Sequence, residues 1–473
     1  MSLLEISNEE FRGLADFVTR LAADYLNHMA SRPIAPLMSG EESLRRFEDA
    51  LPEEGLGRAA LKDLEQVIAA SRAQNGRFFG YVLGSGEPVA ATADLLASVL
   101  NQNVTAWRSG PAAVMIEKTV VRWLAEAINC PGYHGYLTGG GSSANLMGLA
   151  MAREAILPAN ETGVSFGTVV YASEEIHMSI PKSIALLGIG RDNLRLIPTD
   201  ASLRIELAAL EAQIKLDRAA GKTPLAVVAS AGTVKTGAID PLARIADIAH
   251  EHGLWFHIDG AYGALAAIAE PEKFVGMNRA DSISLDPHKW LYQPLDCGCL
   301  LYRDSQAGQK AFSHSGDYAR TLSADPIEGF AFFEESLELS RRFRALKLWL
   351  SLRYHGLAAF RESIRKDLRQ ARHLAELIRG EPELEVVAVG ELSALCFRYV
   401  GRVQHSPDEL NSLNAALLPR LLQRGRVYLS NASVNGQFCL RACIVNHRTK
   451  DADLEEVIHE VLAAGSELMP ASH

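Results

Sequence analysis

Apolar positions first recur at helical spacing: Phe11, Leu14, Val18, Leu21 and Tyr25 follow Ser7 and Glu10, which stand in capping-box order. A looser acidic stretch with Pro and Gly runs to about Gly57, and a second helical pattern runs into Ala73. Residues 1–85 therefore read as a helical N-terminal segment whose apolar stripes need a partner surface. From Pro88 the pattern changes to short β-branched runs alternating with amphipathic helices: "TVVYAS", "LRLIPT", "LAVVAS", "LWFHID", "SISLD" and "CGCLLYR". Before the fourth run, Asp240 and Pro241 look like a helix start and Gly253 like its end. Such alternation predicts parallel strands with right-handed crossovers, a three-layer α/β domain over 86–350. A long Arg-rich helical stretch, 336–380, leads into a smaller α+β domain, 351–473, with strands "LEVVAV", "ALCFRYV" and "LRACIV" and a helix near 408–424. Between the domains, 313–330 is a long Gly-, Ser- and Asp-bearing loop, the kind that serves as a lid.

Composition narrows the function. With 47 basic and 57 acidic residues in 473, the chain has a net charge of −10, which argues against a nucleic-acid partner. Six scattered cysteines (Cys130, Cys297, Cys299, Cys396, Cys439, Cys443) form no CxxC and no disulfide framework. Neither a signal peptide nor an apolar run of membrane length is evident, so a soluble cytoplasmic protein is expected. No Cys/His spacing calls for a metal.

Four stretches carry candidate chemistry. "GYLTGGGSSANLMGLAMAREA", 135–155, sets glycines and serines before a helix, where unpaired N–H groups and the helix dipole favour an anion. It lacks the Walker Gly-Lys-Ser/Thr and the GxGxxG spacing, which weighs against a nucleotide loop and an NAD-dependent Rossmann enzyme. "LWFHIDGAYG" delivers Asp259 to a strand's carboxyl end, followed by small residues. Asp259 either caps the next helix or pairs with a cationic ligand nitrogen. "SLDPHKW" brings Lys289 to the same sheet edge one strand–helix–strand unit later. It is either a surface lysine or a nucleophilic amine. His177, in "YASEEIHMSIPKSI", follows another strand at that edge, where an imidazole is shaped to stack on a planar ring. Each has a bland reading alone. Together, an anion cradle, a ring-facing imidazole, a carboxylate and an amine describe a pyridoxal 5′-phosphate site.

At this point the chain resembles the group II pyridoxal-phosphate-dependent decarboxylases of fold type I, which include aromatic-L-amino-acid, histidine and glutamate decarboxylases. The resemblance runs from "NGRFFGYV" (75–82) to "NHRTKDADLEEVI" (446–457), and "DPHKW", "HIDGAYG", "GGGSSANL" and "SRRFRALKLW" carry it. It implies Lys289 as the Schiff-base lysine and Asp259 as the partner of the pyridinium nitrogen. Ala261 and His177 would lie on opposite ring faces, Gly141 and Ser142 at the phosphate, His288 beside the lysine, and Thr233 near the ring hydroxyl. Tyr318 would be the mobile-loop tyrosine that protonates the substrate carbon; relatives with Phe there tend to release an aldehyde. Tyr81 and Trp107 would wall the substrate pocket. A homodimer with the site near its interface is implied as well.

The chain departs from the family at several points. Many relatives have Asn where this chain has Asp286; a carboxylate near a phosphate repels it, so Asp286 is expected to turn away or to pair with a cation. "GGGSSANL" looks like bacterial members. Val82, Gly84 and Thr105 differ from the bulkier, polar or aromatic residues of other members, which bears on the side-chain pocket. The expected reaction is decarboxylation of an aromatic L-amino acid to its amine. The alternatives are an acidic or diamino substrate, for which Arg341, Arg342, Arg344 and Arg441 are candidate carboxylate binders, an oxidative aldehyde-forming activity, and a non-catalytic scaffold. An intact set of site residues argues against the last.

Overall fold

The β-branched runs of the middle of the chain assemble into one sheet because they are apolar on both faces. The computed structural model describes residues 4–36, 38–314 and 325–469. Its large sheet comprises β1 (His134–Thr138), β2 (Thr168–Ser173), β3 (Leu194–Ile197), β4 (Thr223–Ser230), β5 (Trp255–Asp259), β6 (Ser282–Leu285) and β7 (Gly298–Tyr302), in the order β1-β7-β6-β5-β4-β2-β3. Every position of β2, β5, β6 and β7 is buried, as expected of strands covered on both faces. The helices Pro111–Ala127, Gly141–Ile156, Leu207–Ala219 and Leu242–Glu251 pack on this sheet.

The pairings β3/β2, β2/β4, β4/β5 and β5/β6 are parallel, as the alternation predicts. β7 is not: it runs antiparallel to both β6 and β1. After β6 the chain makes only a one-turn helix, Pro287–Trp290, too short to carry it back along the sheet, so it doubles back instead. Registers pair Ser230 with Asp259 and Asp259 with Ser284, which brings the carboxyl ends of β4, β5 and β6 level.

The smaller sheet is antiparallel, β10-β11-β9-β8, from β8 (Leu384–Val389), β9 (Ala394–Tyr399), β10 (Ser430–Val434) and β11 (Gln437–Cys443). Helices Pro407–Arg424 and Asp451–Leu468 pack against it. The helix predicted over 336–380 begins only at Ala345 and bends at Gly356 (φ 75°). Its early residues Ala345, Leu346 and Leu348 join the large core, whereas Ala371, Leu374 and Ile378 join the small one.

Asp240 does not cap the helix Leu242–Glu251, whose start has no side-chain cap. Its buried carboxylate accepts from the backbone N–H of Ile205 (2.8 Å) and Ser230 (2.7 Å), tying the end of β4 to a loop across the sheet.

The N-terminal segment is helical, Asn8–His28, Gly40–Phe47 and Asp63–Ala70, and buries no residue of these three helices within this chain. Beyond it, residues 75–87 enter the core. Gly84 donates to the carbonyl of His288 at 3.0 Å, and a Cβ there would sit 2.4 Å from the carbonyl oxygens of His288 and Lys289. Glycine is required for that approach.

Candidate active site

At the level carboxyl ends of β4, β5 and β6 lies a cavity of about 290 Å³. Gly141, Ser142, His177, Thr233, Asp259, Ala261, His288 and Lys289, all singled out from the sequence, line it together. This is the edge where parallel sheets place their ligands.

The Gly-rich loop forms one wall. The helix Gly141–Ile156 starts from Gly140 (φ 145°) with no side-chain cap, so its first N–H groups remain open to an anion. A Cβ on Gly141 would meet the Ala261 side chain at 2.5 Å and the Asp286 carboxylate at 3.0 Å. Any larger residue would fill the cradle.

Asp259 is nearly buried, and its Oδ1 accepts weakly from the Ser284 hydroxyl (3.2 Å) and the Ala261 N–H (3.3 Å). It does not cap a helix. Thr233 is buried in a tight loop, where its hydroxyl accepts from the Ala238 N–H and contacts the Thr236 hydroxyl, both at 3.2 Å.

Lys289 is no solvated surface lysine. Its Nζ lies 2.8 Å from Asp286 Oδ2, with side-chain exposures of 16% and 4%. The expectation that Asp286 pairs with a cation holds, and the cation is Lys289 itself. His288 presents Nε2 at 3.5 Å from the same oxygen, because its Nδ1 is turned to the Cys297 carbonyl at 2.7 Å.

His177 is oriented by a chain of hydrogen bonds that crosses the domain. Its Nδ1 accepts from the Ser179 N–H (3.2 Å) and faces the Ser179 hydroxyl (2.9 Å), which in turn accepts from Asn145 Nδ2 (2.9 Å). Asn145 Oδ1 meets His257 Nε2 at 2.9 Å, and His257 Nδ1 meets the Ser282 hydroxyl at 2.8 Å, which also accepts from Trp255 Nε1. Donors and acceptors match throughout if both histidines are neutral with hydrogen on Nε2. Burial agrees: it lowers the pKa of His177 and pulls that of His257 down to about 4.

Other expected residues lie elsewhere. Tyr81, 51% exposed and at φ 62°, bonds to the Tyr428 hydroxyl (2.9 Å) rather than lining the cavity. Trp107 does not line it either; its backbone N–H donates to the Phe330 carbonyl. Tyr318 lies outside the described residues. Arg341 pairs with Glu117, Arg342 with Asp94 and Asp296, and Arg344 with Asp296 and Glu338. Arg441 donates to Ser430 Oγ and the Val234 carbonyl. The first three arginines are therefore committed to acids of the chain itself.

The donor set fits pyridoxal 5′-phosphate: open helix N–H groups for the phosphate, a lysine amine for the aldehyde and a carboxylate for the ring nitrogen. Comparison with known proteins agrees. Residues 41–400 match the pyridoxal-dependent decarboxylase conserved domain. The chain is 35% identical to an aromatic-L-amino-acid decarboxylase of Bacillus atrophaeus, over 98% of this chain and 97% of that one. It is 32% identical to a phenylacetaldehyde synthase of Petunia hybrida, over 92% and 90%. Among solved structures, that of an Oryza sativa TDC with PLP and tryptamine superposes with a TM-score of 0.93 at 28% identity, covering 99% of this chain and 100% of that one. The chain belongs to the pyridoxal-dependent decarboxylases, and it is a pyridoxal-phosphate-dependent amino-acid decarboxylase of fold type I.

Proposed function

We propose that the chain decarboxylates an aromatic L-amino acid to its amine and CO2, with Lys289 as the covalent anchor of the cofactor. The observation that carries the site is the convergence of the Lys289 amine, the Asp259 carboxylate and the open helix start at Gly141 on one cavity. Likeness to the Bacillus aromatic-L-amino-acid decarboxylase over nearly the whole chain supports the aromatic substrate. So does the engagement of Arg341, Arg342 and Arg344 with the chain's own acids, which leaves them poor receptors for an acidic side chain.

When bound, pyridoxal phosphate supplies an aldehyde that links to amines and a ring that accepts an electron pair. The chain's residues do the rest. Gly141 and Ser142 would hold the phosphate, with His288 beside it, and Asp259 would keep the ring nitrogen protonated. Ala261 would leave room on one ring face, neutral His177 would cover the other, and Thr233 would stand at the hydroxyl side. Positioning the substrate's Cα–carboxylate bond perpendicular to the ring is then what the pocket must enforce. Tyr318 remains the proposed proton donor to the substrate carbon, and Tyr81 and Trp107, which lie outside the cavity within one chain, the proposed walls of a substrate pocket beyond it.

The same proposal includes a homodimer. Exposed Phe11 and Val18 on the first helix and Leu95, Leu96, Val99 and Leu100 on Pro88–Leu100 support it. Six free, buried cysteines support a reducing, cytoplasmic setting. It also divides the chain into 1–85, 86–350 and 351–473; one helix passes from the large core to the small one between Leu368 and Ala371.

The likeness to a phenylacetaldehyde synthase favours a second reading, oxidative aldehyde formation. One experiment separates the two: incubation of the holoenzyme with aromatic, acidic and diamino L-amino acids, with amines and aldehydes followed by mass spectrometry. Amine from an aromatic acid, lost in Lys289→Ala, is the expected result. Amine only from acidic or diamino acids overturns the substrate, and aldehyde as the main product overturns both the reaction and the role of Tyr318. No turnover at all overturns the proposal.

A further inference from the structure

We propose that Asp286 sets how firmly the cofactor is kept: it holds the free Lys289 amine as its counter-ion and opposes the phosphate across the cradle, so that its charge favours the cofactor-free state. The inference rests on the reading of Lys289 as the anchor and goes beyond it.

Three observations carry it. Asp286 is 3% exposed, and Lys289 Nζ at 2.8 Å is the close cation on its Oδ2, with His288 Nε2 farther off at 3.5 Å. Its other oxygen, Oδ1, is buried and has no hydrogen-bond partner. The carboxylate also borders the phosphate cradle: it lies 3.0 Å from where a Gly141 Cβ would stand and 3.9 Å from a Gly140 one. The remaining neighbours do not neutralise it. Ala261 is apolar, His288 is turned by its Nδ1 to the Cys297 carbonyl, and burial favours the neutral form of that imidazole.

The physical consequence has one direction. Without cofactor, the Lys289 nitrogen is held in an ion pair by the buried carboxylate, which it must leave before it can attack an aldehyde. With cofactor, the nitrogen is tied up and a phosphate occupies the cradle, so the carboxylate loses its best partner and gains a like charge. Both effects disfavour the loaded state. An amide in its place has neither effect and keeps the shape.

The test is a titration of cofactor-free wild type, Asp286→Asn and Asp286→Ala with pyridoxal phosphate. It is followed by visible absorbance, and cofactor loss from the loaded proteins is followed on dilution. Both variants are expected to bind at least ten-fold more tightly and to release more slowly. Damage to the pocket would loosen the cofactor, so a gain is not what a merely structural role produces. Equal or weaker binding in both variants overturns the proposal. Borohydride reduction of the loaded wild type, with peptide mapping, keeps the two claims apart. A label on Lys289 with unchanged affinities overturns only the role of Asp286, whereas a label elsewhere overturns the anchor itself.

Discussion

Two buried carboxylate–cation pairs stand within one domain and are built on opposite plans. Glu117 and Arg341, both 1% exposed, meet at 2.5 Å and are tied to the backbone on both sides, although Arg341 Nε is buried without a hydrogen-bond partner. Glu117 accepts from the Leu137 N–H, and Arg341 donates to the carbonyls of Val104 and Leu137 and to Glu117. Asp286 and Lys289 are paired once, with an orphaned oxygen on one side and a cavity on the other. A pair bonded to the backbone on both sides and away from the cavity fixes the position of elements. A pair bonded once and facing the cavity has chemistry to spare and is held in place by the fold around it.

The comparison breaks most readily at its more fully bonded member. Arg341→Met strands Glu117 and is expected to cost about 3–5 kcal/mol, the usual penalty for breaking a buried pair, read as a fall in the urea midpoint. The protein that remains folded should still link its cofactor; a stable variant that fails to do so would erase the distinction. Asn145→Ala probes the saturated chain behind His177. It leaves His257 Nε2 and the Ser179 hydroxyl short of partners, a loss of about 1–3 kcal/mol, with turnover falling as His177 loses its support. Wild-type stability and turnover together would mean that the chain does not position His177.

Asp367 sharpens the contrast, being unsaturated but outside any cavity described for the site. It is fully buried, accepts from the Tyr292 hydroxyl (2.8 Å) and the Asn446 N–H (3.0 Å), and leaves Oδ1 unpartnered. Burial pushes its carboxyl up to about 7. Its folded value therefore lies above the unfolded one, near 4, and the folded chain binds more protons between these values. Stability contributed by this group falls as pH rises through that window and stays low above it. Asp367→Asn lacks the loss, so its stability relative to wild type should rise by at least about 1 kcal/mol from pH 4 to pH 8, measured by urea unfolding. A pH-independent difference would show the carboxylate ionised throughout.

Local patterns made much of this legible. Six strand runs of the large sheet and the positions of Lys289 and Asp259 could be read directly because a strand buried on both faces is a dense apolar run with its chemistry at one end. β1, "HGYLT", and β10, "SNASV", escaped because short, polar or Gly-bearing strands owe their existence to neighbours rather than to pattern. Asp240 misled for the related reason that a good local cap was outbid by two backbone donors from elsewhere in the fold. The support of His177 was illegible: Asn145 and His257 are 112 positions apart, and although each stands in a motif of its own, nothing local pairs the two. The arginines were left open by sequence, since a helix-face charge and a ligand-binding one look alike until their acids are located.

The turn that bears Lys289 is backed from both ends of the chain. Gly84 and Glu87 bond to the carbonyls of His288 and Tyr292, and Tyr292 reaches Asp367, which also holds Asn446; Asn446 then returns to the Asn75 carbonyl. A growing chain that has reached residue 350 thus contains every cavity-lining residue, Gly84 and Glu87, but not Asp367 and Asn446, the rest of the backing of its lysine. Since domains tend to fold as they emerge during synthesis, the turn bearing the lysine gains its full backing only after all the residues that line the cavity are made. Capture of the cofactor then depends on a segment that itself never meets it.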